Sequence, residues 1–545
     1  MEQIYQNIPK EKFEFAQMGE NLHDEKLKTK SRSYMQDAFI RFKKNKSSVV
    51  AACIIAFLVL FSIASPIISP YSVYDTNNVY VKMPPFVEKI ADMEIGILDG
   101  SQMLESQGEN QLTALYAIGQ ETGHNPVIEI TDTFEVVERV RGKDVVKKYY
   151  SVNVNAYYQV GIRYQNFSFE EYEKLQQWQD ETGIQVIYPW VEPIDVYFPN
   201  LDKTNKDAVK EANQKIKNAN VNMNANVWYV CNSKQLGKAN EPMFDANKEL
   251  ISAYSTDQSI AGRYENGDPI YYTSKMRVEG DDGSYIYSRE KSGSVQCRVD
   301  YYNYYCYLND GKAPFYIFGT DSTGADLFCA IGMGARFSLI FAVIVAAINL
   351  TIGAIYGAIQ GYYGGLTDLA MDRVSDILSG VPFMVVTTLF QLHLAQKVGP
   401  VVSFLFAFVL TGWIGMAALT RKQFYRFKSQ EYILAARTLG ASDRRLMFKH
   451  IFPNAIGTMV TSCALVIPGV ISSETSLTYL GIIDLSEMTG TSIGTLMASG
   501  QSAMQAAPHA MLYPALFLSL LLISFNLFGN GLRDAFNPST RGADE

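Results

Sequence analysis

Histidine is scarce in this chain, with five in 545 residues. Only His124 falls in the polar stretch between 71 and 314, too few for a histidine metal cluster, and no metal site is assigned. Phosphate-cradling loops are missing as well. The Gly-Lys pairs at 142–143, 237–238 and 311–312 are followed by Asp or Ala, never by Ser or Thr, so none reads as a P-loop. The polar stretch assembles no catalytic constellation, and the chain reads as a non-enzyme with no catalytic residue. Six cysteines make no disulfide scaffold. Cys53 and Cys463 fall in apolar runs as packing residues. Cys297 and Cys306 either pair or stay reduced, and Cys231 is left over.

The most informative absence is of charge. SSVVAACIIAFLVLFSIASPIIS, residues 47–69, has no Asp, Glu, Lys or Arg and supplies the roughly 20 residues that a membrane-spanning helix needs. It starts too late and runs too long for a signal peptide, and no small-residue cleavage site follows before Pro70. Further apolar runs at 334–360, 374–396, 401–420, 455–473 and 510–530 predict six spans in all. The third holds Asp376 and Pro382, which blur its boundary.

Basic residues set the orientation. Arg41, Lys43, Lys44 and Lys46 precede the first span. Arg421, Lys422, Arg426, Lys428, Arg437, Arg444, Arg445 and Lys449 lie between the fourth and fifth. Short loops rich in Lys and Arg stay cytoplasmic, which puts both termini inside and residues 71–314 outside. Residues 71–320 carry about −11 of the net charge of −8, the rest about +3. The outer region reads as a folded α+β domain. Residues 127–160 suggest strands with a turn near Arg141–Asp144, and another turn is expected at Asp281-Asp282-Gly283. FSFEEYEKLQQWQDETG reads as a helix with capping-box spacing at Ser168 and Glu171 and a stop at Gly183. Trp178, Trp190 and Trp228 supply core-sized aromatics, and the many tyrosines fit a core better than a ligand cage.

Within the membrane part, Gly353, Gly357 and Gly361 repeat the spacing that lets helix backbones approach closely. Between the fourth and fifth spans, EYILAARTLGASDRRLMFKHIFPN (431–454) reads as two short helices. Tyr432, Ile433, Ala435, Ala436 and Leu439 form an apolar face, and Gly440 stops the first helix. Ser442 caps the second, with Pro453 beyond its end. A DNA-reading helix pair shares this outline, but a segment pinned between spans cannot follow a groove, and nucleic acid is excluded as a partner. The segment suits docking of a cytoplasmic partner that moves.

LAARTLGASDRRLMFKHIFP resembles the EAA loop of permease subunits in binding-protein-dependent ABC importers. The resemblance extends to the oligopeptide/dipeptide permease C-type subunits. It is carried by FKKNKSSVVAACIIAFLVLFSIASPIISPY, IFGTDSTGADLF, GYYGGLTDLAMDRVSDILSGVP, ETSLTYLG (as an outer re-entrant segment) and FNLFGNGLRDAFNP. It covers nearly all of 31–70 and 315–540. Four positions depart from the family pattern: Leu434 stands where an acid is usual, with Glu431 three residues earlier, Ala325 where Arg is usual, Asn530 for Asp and Ile493 for Trp. The insertion is absent from most members.

The resemblance implies a polytopic α-helical protein with the type I ABC importer permease fold and an inserted extracellular α+β domain. Its parts would be a cytoplasmic tail with an amphipathic elbow helix (1–46), a first span (47–70), the insertion (71–314), a core of five spans (315–533) with a coupling loop at 421–454, and a tail (534–545). It implies a bacterial plasma membrane location and uptake of oligopeptides delivered by an extracellular substrate-binding protein. The partners would be a homologous second permease and two ABC ATPase subunits that hold the ATP and Mg. This chain would bind no cofactor. The expected coupling residues are Glu431, Ala435, Ala436, Gly440, Arg444, Arg445 and Pro453. The two arginines serve equally as positive-inside anchors. Glu474 is expected as a gate or helix-pairing residue. Asp368, Asp372 and Asp376 are expected to pair with Arg373 or loop bases. Dipeptide or nickel uptake, a secondary transporter and a membrane-anchored receptor are the alternatives. A secondary transporter would want more mid-span polarity than Asn349 and His393 offer, and a receptor would not need five further spans.

Overall fold

The computed structural model describes residues 34–190, 201–218, 286–485 and 491–536, except 94, 141 and 292. The tail before 34, Trp228, Cys231, the turn expected at 281–283 and the residues from 537 lie outside them. Helix α1 (Tyr34–Lys44) leads through Asn45 into α2 (Lys46–Ile68), the first long apolar helix. Asn45 is extended, and its side-chain oxygen accepts from the Ser48 N–H at 3.3 Å, occupying a donor that the first turn cannot satisfy itself.

The inserted region then builds sheets and short helices. Strand β1 (Phe86–Val87) is followed by β2 (Ser101–Gly108), α3 (Glu109–Thr122), β3 (Val127–Val140) and β4 (Lys143–Asn155). The strands β2–β4–β3 form an antiparallel sheet, and β3 and β4 form a long ribbon that turns between Val140 and Lys143. A second sheet joins β5 (Ile162–Phe167), β6 (Ile187–Tyr188), β7 (Ser288–Lys291) and β8 (Ser294–Asp300). Between β5 and β6 lies α4 (Phe169–Thr182). Ser168 and Glu171 cap it reciprocally, and Gly183 at φ +70° ends it.

Both ends of the insertion are stitched together. Beyond α5 (Tyr301–Leu308), strand β9 (Phe315–Tyr316) pairs with β1, Phe86 opposite Tyr316. The Tyr71 hydroxyl, just past α2, accepts from Tyr305 at 2.7 Å and from the Phe315 N–H at 3.0 Å. Tyr80 and Tyr157 are fully buried in the aromatic cluster here. The bridge considered for Cys297 and Cys306 does not form. Both thiols are free, Cys297 buried with Leu175 and Cys306 within the tyrosine cluster. Burial pushes each thiol up to about 12.

The long helices follow: α6 (Leu327–Tyr363), α7 (Gly365–Ser379), α8 (Phe383–His393), α9 (Pro400–Gly412) and α10 (Ile414–Lys428), and, nearer the end, α15 (Pro508–Phe536). Among the described residues five helices are long and apolar enough to cross a membrane, six if α7 and α8 count as one bent span. That pair bends by 72°, so the run expected at 374–396 is not one straight helix. Pro382 cannot continue a helix and disfavours the helical conformation at Val381. Leu58 of α2, Ala335 of α6, Phe404 of α9 and Leu521 of α15 meet in one apolar core. Phe57, Ile67, Ile344 and Leu516 are exposed on the outside of the same helices, a surface suited to lipid.

Candidate coupling site

The segment after α10 begins with α11 (Glu431–Thr438). Gly440, at φ +83°, reverses the chain, and the Ala441 N–H closes the turn on the Ala436 carbonyl at 3.1 Å. Ser442 is extended and precedes α12 (Asp443–Arg445), without a side-chain capping bond. The second helix is not a separate short one. It continues through a π turn (Leu446–Ile451) into α13 (Phe452–Tyr479), and Pro453 stands in the first turn of α13 rather than past a helix end. In the wide turn the Phe452 N–H reaches back to Met447. That geometry tolerates a proline whose missing N–H would have interrupted an ordinary helix.

The expected apolar face divides in two. Ile433 is fully buried against Phe424, Leu446, Met447 and Ile451, and Ala436 packs beside it. Tyr432, Ala435 and Leu439 share the other face, at helical spacing, and Leu439 is 88% exposed. Glu431, Gly440, Arg444, Arg445 and Pro453 are also exposed. The loop therefore presents Leu434, Leu439 and two arginines outward while Ile433 anchors it.

Two polar networks fix the surrounding helices. Arg421 of α10 reaches Asp368 at 2.6 Å and Asp372 at 2.9 Å, both on α7, and the Tyr425 hydroxyl also donates to Asp368. Arg373 pairs with Asp376 at 3.0 Å along α7 itself. At the end of α6, the Tyr362 hydroxyl donates to Asp443 Oδ1 at 2.5 Å and accepts from Arg437 Nη2 at 3.3 Å. Sequence reasoning missed Tyr362 and Asp443 as a pair. The Arg421/Tyr425 and Asp368/Asp372 pairs, each four apart, were the available signal for the other network.

Gly353, Gly357 and Gly361 face α10. A methyl group would lie 2.7 Å from the Trp413 carbonyl oxygen, 2.2 Å from that of Ala417 and 2.7 Å from that of Arg421, respectively. Glu474 has no exposed surface, and its Oε2 accepts from the Ser338 hydroxyl at 2.7 Å, tying α13 to α6. ETSLTYLG forms the last turns of α13 up to Gly481 rather than a re-entrant segment of its own; α14 (Ile493–Ala503) comes after it. Among the described residues no group of three His, Cys, Asp or Glu side chains is placed to hold a metal ion.

The model of the family described as "Binding-protein-dependent transport system inner membrane component" matches residues 349–542. That of the "N-terminal TM domain of oligopeptide transport permease C" matches 33–85. The chain is 39% identical over 236 residues to the oligopeptide transport system permease protein OppC of Bacillus subtilis (strain 168), covering 43% of this chain and 76% of the relative. It is 35% identical over 291 residues to the dipeptide transport system permease protein DppC of Lactococcus lactis subsp. cremoris (strain MG1363), covering 53% and 82%. Among solved structures, an inward-facing form of the MetNI methionine ABC transporter is similar at TM-score 0.29 and 15% identity, covering 37% of this chain and 94% of that one.

Proposed function

We infer the function of this chain from the family to which it belongs, the binding-protein-dependent transport system inner membrane components. It is a C-type permease subunit of an importer that takes up oligopeptides. The observation that carries this reading is the 39% identity to an oligopeptide permease over 76% of that protein's length. The type I permease fold supplies the translocating helices.

The finer assignment is as follows. Two ABC ATPase subunits dock on the 421–454 loops of this chain and of a homologous second permease, and ATP and Mg bind and react on those ATPases. The exposed Ala435, Gly440, Arg444 and Arg445 support a docking role, since nothing among the described residues covers them. Closure of the ATPases would move the loop and rock the spans between two arrangements. The termini and the loop lie in the cytoplasm of a bacterial cell, and residues 71–314 lie outside, where a substrate-binding protein delivers peptide. The similarity to a dipeptide permease over 291 residues favours short peptides as a second reading within the same class.

The test is a mild-detergent pull-down of the tagged chain, followed by reconstitution in proteoliposomes. Recovery of a second permease, ATPase subunits and a binding protein, with peptide uptake that needs ATP, is the expected result. An intact preparation that contains this chain alone would overturn the reading. Competition between dipeptides and longer peptides then decides the substrate length.

A further inference from the structure

The Tyr362 hydroxyl touches both arms of the 431–454 loop at once. Arg437 closes the last turn of α11, Asp443 opens α12, and the turn at Gly440 lies between them. Tyr362 donates to the Asp443 carboxylate at 2.5 Å and accepts from the Arg437 guanidinium at 3.3 Å, while that guanidinium also lies over the Tyr362 ring, 5.9 Å from its centroid. Both bonds involve a charged partner, the stronger class of hydrogen bond. The ring beneath is held separately. Tyr362 is buried with Ala358, Phe424, Ile433 and Ile451, so the apolar packing does not depend on the hydroxyl.

Tyr362 is also the second-to-last residue of α6, the 37-residue helix that runs to Leu327, where Asp326 caps it and receives the Ser69 hydroxyl at 2.6 Å. The same end of α6 is held to α10, where Lys428 Nζ donates to the Gly361 carbonyl at 3.0 Å. A displacement of the loop therefore has a rigid, charge-assisted path into α6. Ile433 and its neighbours offer only apolar contacts, which let surfaces slide past one another.

We propose that Tyr362 is a positioning residue that transmits loop movement to α6, with Asp443 and Arg437 as its two grips. This rests on the reading of the chain as an importer permease. Removing the hydroxyl leaves the fold and ATPase docking in place but disconnects ATP hydrolysis from transport. Tyr362→Phe keeps the ring, and Asp443→Asn keeps the shape while removing the charge, so the pair separates a broken grip from a broken fold.

The experiment uses the complete transporter in proteoliposomes with its binding protein and a labelled peptide, and reads peptide imported per ATP hydrolysed. For Tyr362→Phe and Asp443→Asn the complex is expected to assemble and hydrolyse ATP like wild type, while peptide imported per ATP falls about tenfold, the scale set by one hydrogen bond to a charged group. The double variant is expected to be no worse than the poorer single one, because both remove the same link. An unchanged ratio in both variants overturns the proposal. So does a loss of ATPase activity in proportion to uptake, which would mark a merely structural or docking role. A wild-type complex that hydrolyses ATP without importing any peptide overturns the transport reading itself, an outcome visible before any variant is compared.

Discussion

Gly357 and Ala417 bring two helices into backbone contact: a methyl group on Gly357 would sit 2.2 Å from the Ala417 carbonyl oxygen. Bilayer lipid gives helices no hydrophobic reason to associate, so close packing of small residues has to supply the attraction. Gly357→Ala is therefore expected to force α6 from α10 and to destabilise the protein by about 1–3 kcal/mol, the usual cost of overpacking. Thermal unfolding in detergent checks it. Ala substitution at Gly365, where a side chain would meet nothing within 4 Å, serves as a comparison for backbone strain alone, since that residue has φ +57°. A Gly357→Ala protein no less stable than Gly365→Ala would show that the contact yields.

Arg421 forms ion pairs with both Asp368 and Asp372 in the bracket between α7 and α10, and among the described residues no other cation pairs with either. Removing it leaves two carboxylates near each other without their counter-charge. Arg421→Ala is expected to lower stability by about 1.5–3 kcal/mol, the range for hydrogen bonds to charged groups. Arg421→Lys should recover only part of the loss, because an ammonium cannot place two diverging donors as a guanidinium does. Melting of both variants in the same detergent decides this. Full recovery by lysine would mean that charge alone matters and that the forked geometry does not.

Local signals in the sequence were legible where the physics is local. The charge-free run at 47–69 became α2, because a bilayer-length apolar run needs no distant partner to form a helix. Ser168, Glu171 and Gly183 mark the ends of α4 through bonds within a few residues. Gly440 is legible for the same reason: a residue at φ +83° is the natural place for glycine. Pro453 shows the limit. A proline near a helix end is compatible with a stop before it or a start around it. The choice went to a start because Leu446, Met447 and Ile451 are buried against Phe424 and hold the chain in continuous helix. The pairing of Asp368 and Asp372 with a loop base was legible from charge, but other contacts between distant segments left no trace that one sequence could show. Tyr362 and Asp443 are 81 residues apart, and β1 pairs with β9 across the whole insertion.

Asp300 gives the inserted region a pH dependence. It is 2% exposed, caps α5 through the Tyr302 N–H, and lies 4.0 Å from His124. Burial pushes its carboxyl up to about 7, and burial likewise lowers the pKa of His124. A carboxyl with a raised folded-state pKa favours its protonated form in the native state. Its contribution is therefore greatest below the ordinary carboxylate range of about 4 and is lost as pH rises to about 7. Asp300→Asn retains the cap and cannot ionise. Its stability relative to wild type should rise between about pH 4 and 7 and then level off. His124 works in the opposite direction below its ordinary value of about 6.5, so the comparison is best made in a His124→Gln background. Hydrogen exchange of the β8–α5 segment at several pH values reads the difference. A constant gap between the two proteins across that range would exclude Asp300 as its source.

The β2–β4–β3 lobe offers a way to ask what the insertion is for. Ser101 and Asn155 lie opposite each other at the lobe's base, so residues 102–154 can be replaced by a short Gly-Ser linker without spreading the rest. The seam between β1 and β9 and the Tyr71–Tyr305 hydrogen bond stay in place, and the excision also removes His124, which packs on Tyr158 and Tyr302. Beyond the part of β4 that pairs with β2, the β3–β4 ribbon has no third strand among the described residues, and Val137 and Val146 are 63% and 58% exposed near its tip. Exposed valines on an unsupported ribbon are costly to leave in water, and they suit contact with another protein. If the lobe receives the substrate-binding protein, its excision should raise the amount of binding protein needed for half-maximal uptake about tenfold, while basal ATP hydrolysis by the assembled complex stays the same. Replacing Val137 and Val146 with Ser in the intact chain should produce a smaller shift in the same direction. Uptake that needs no more binding protein after excision would place the docking surface elsewhere, on the second sheet or on the spans themselves.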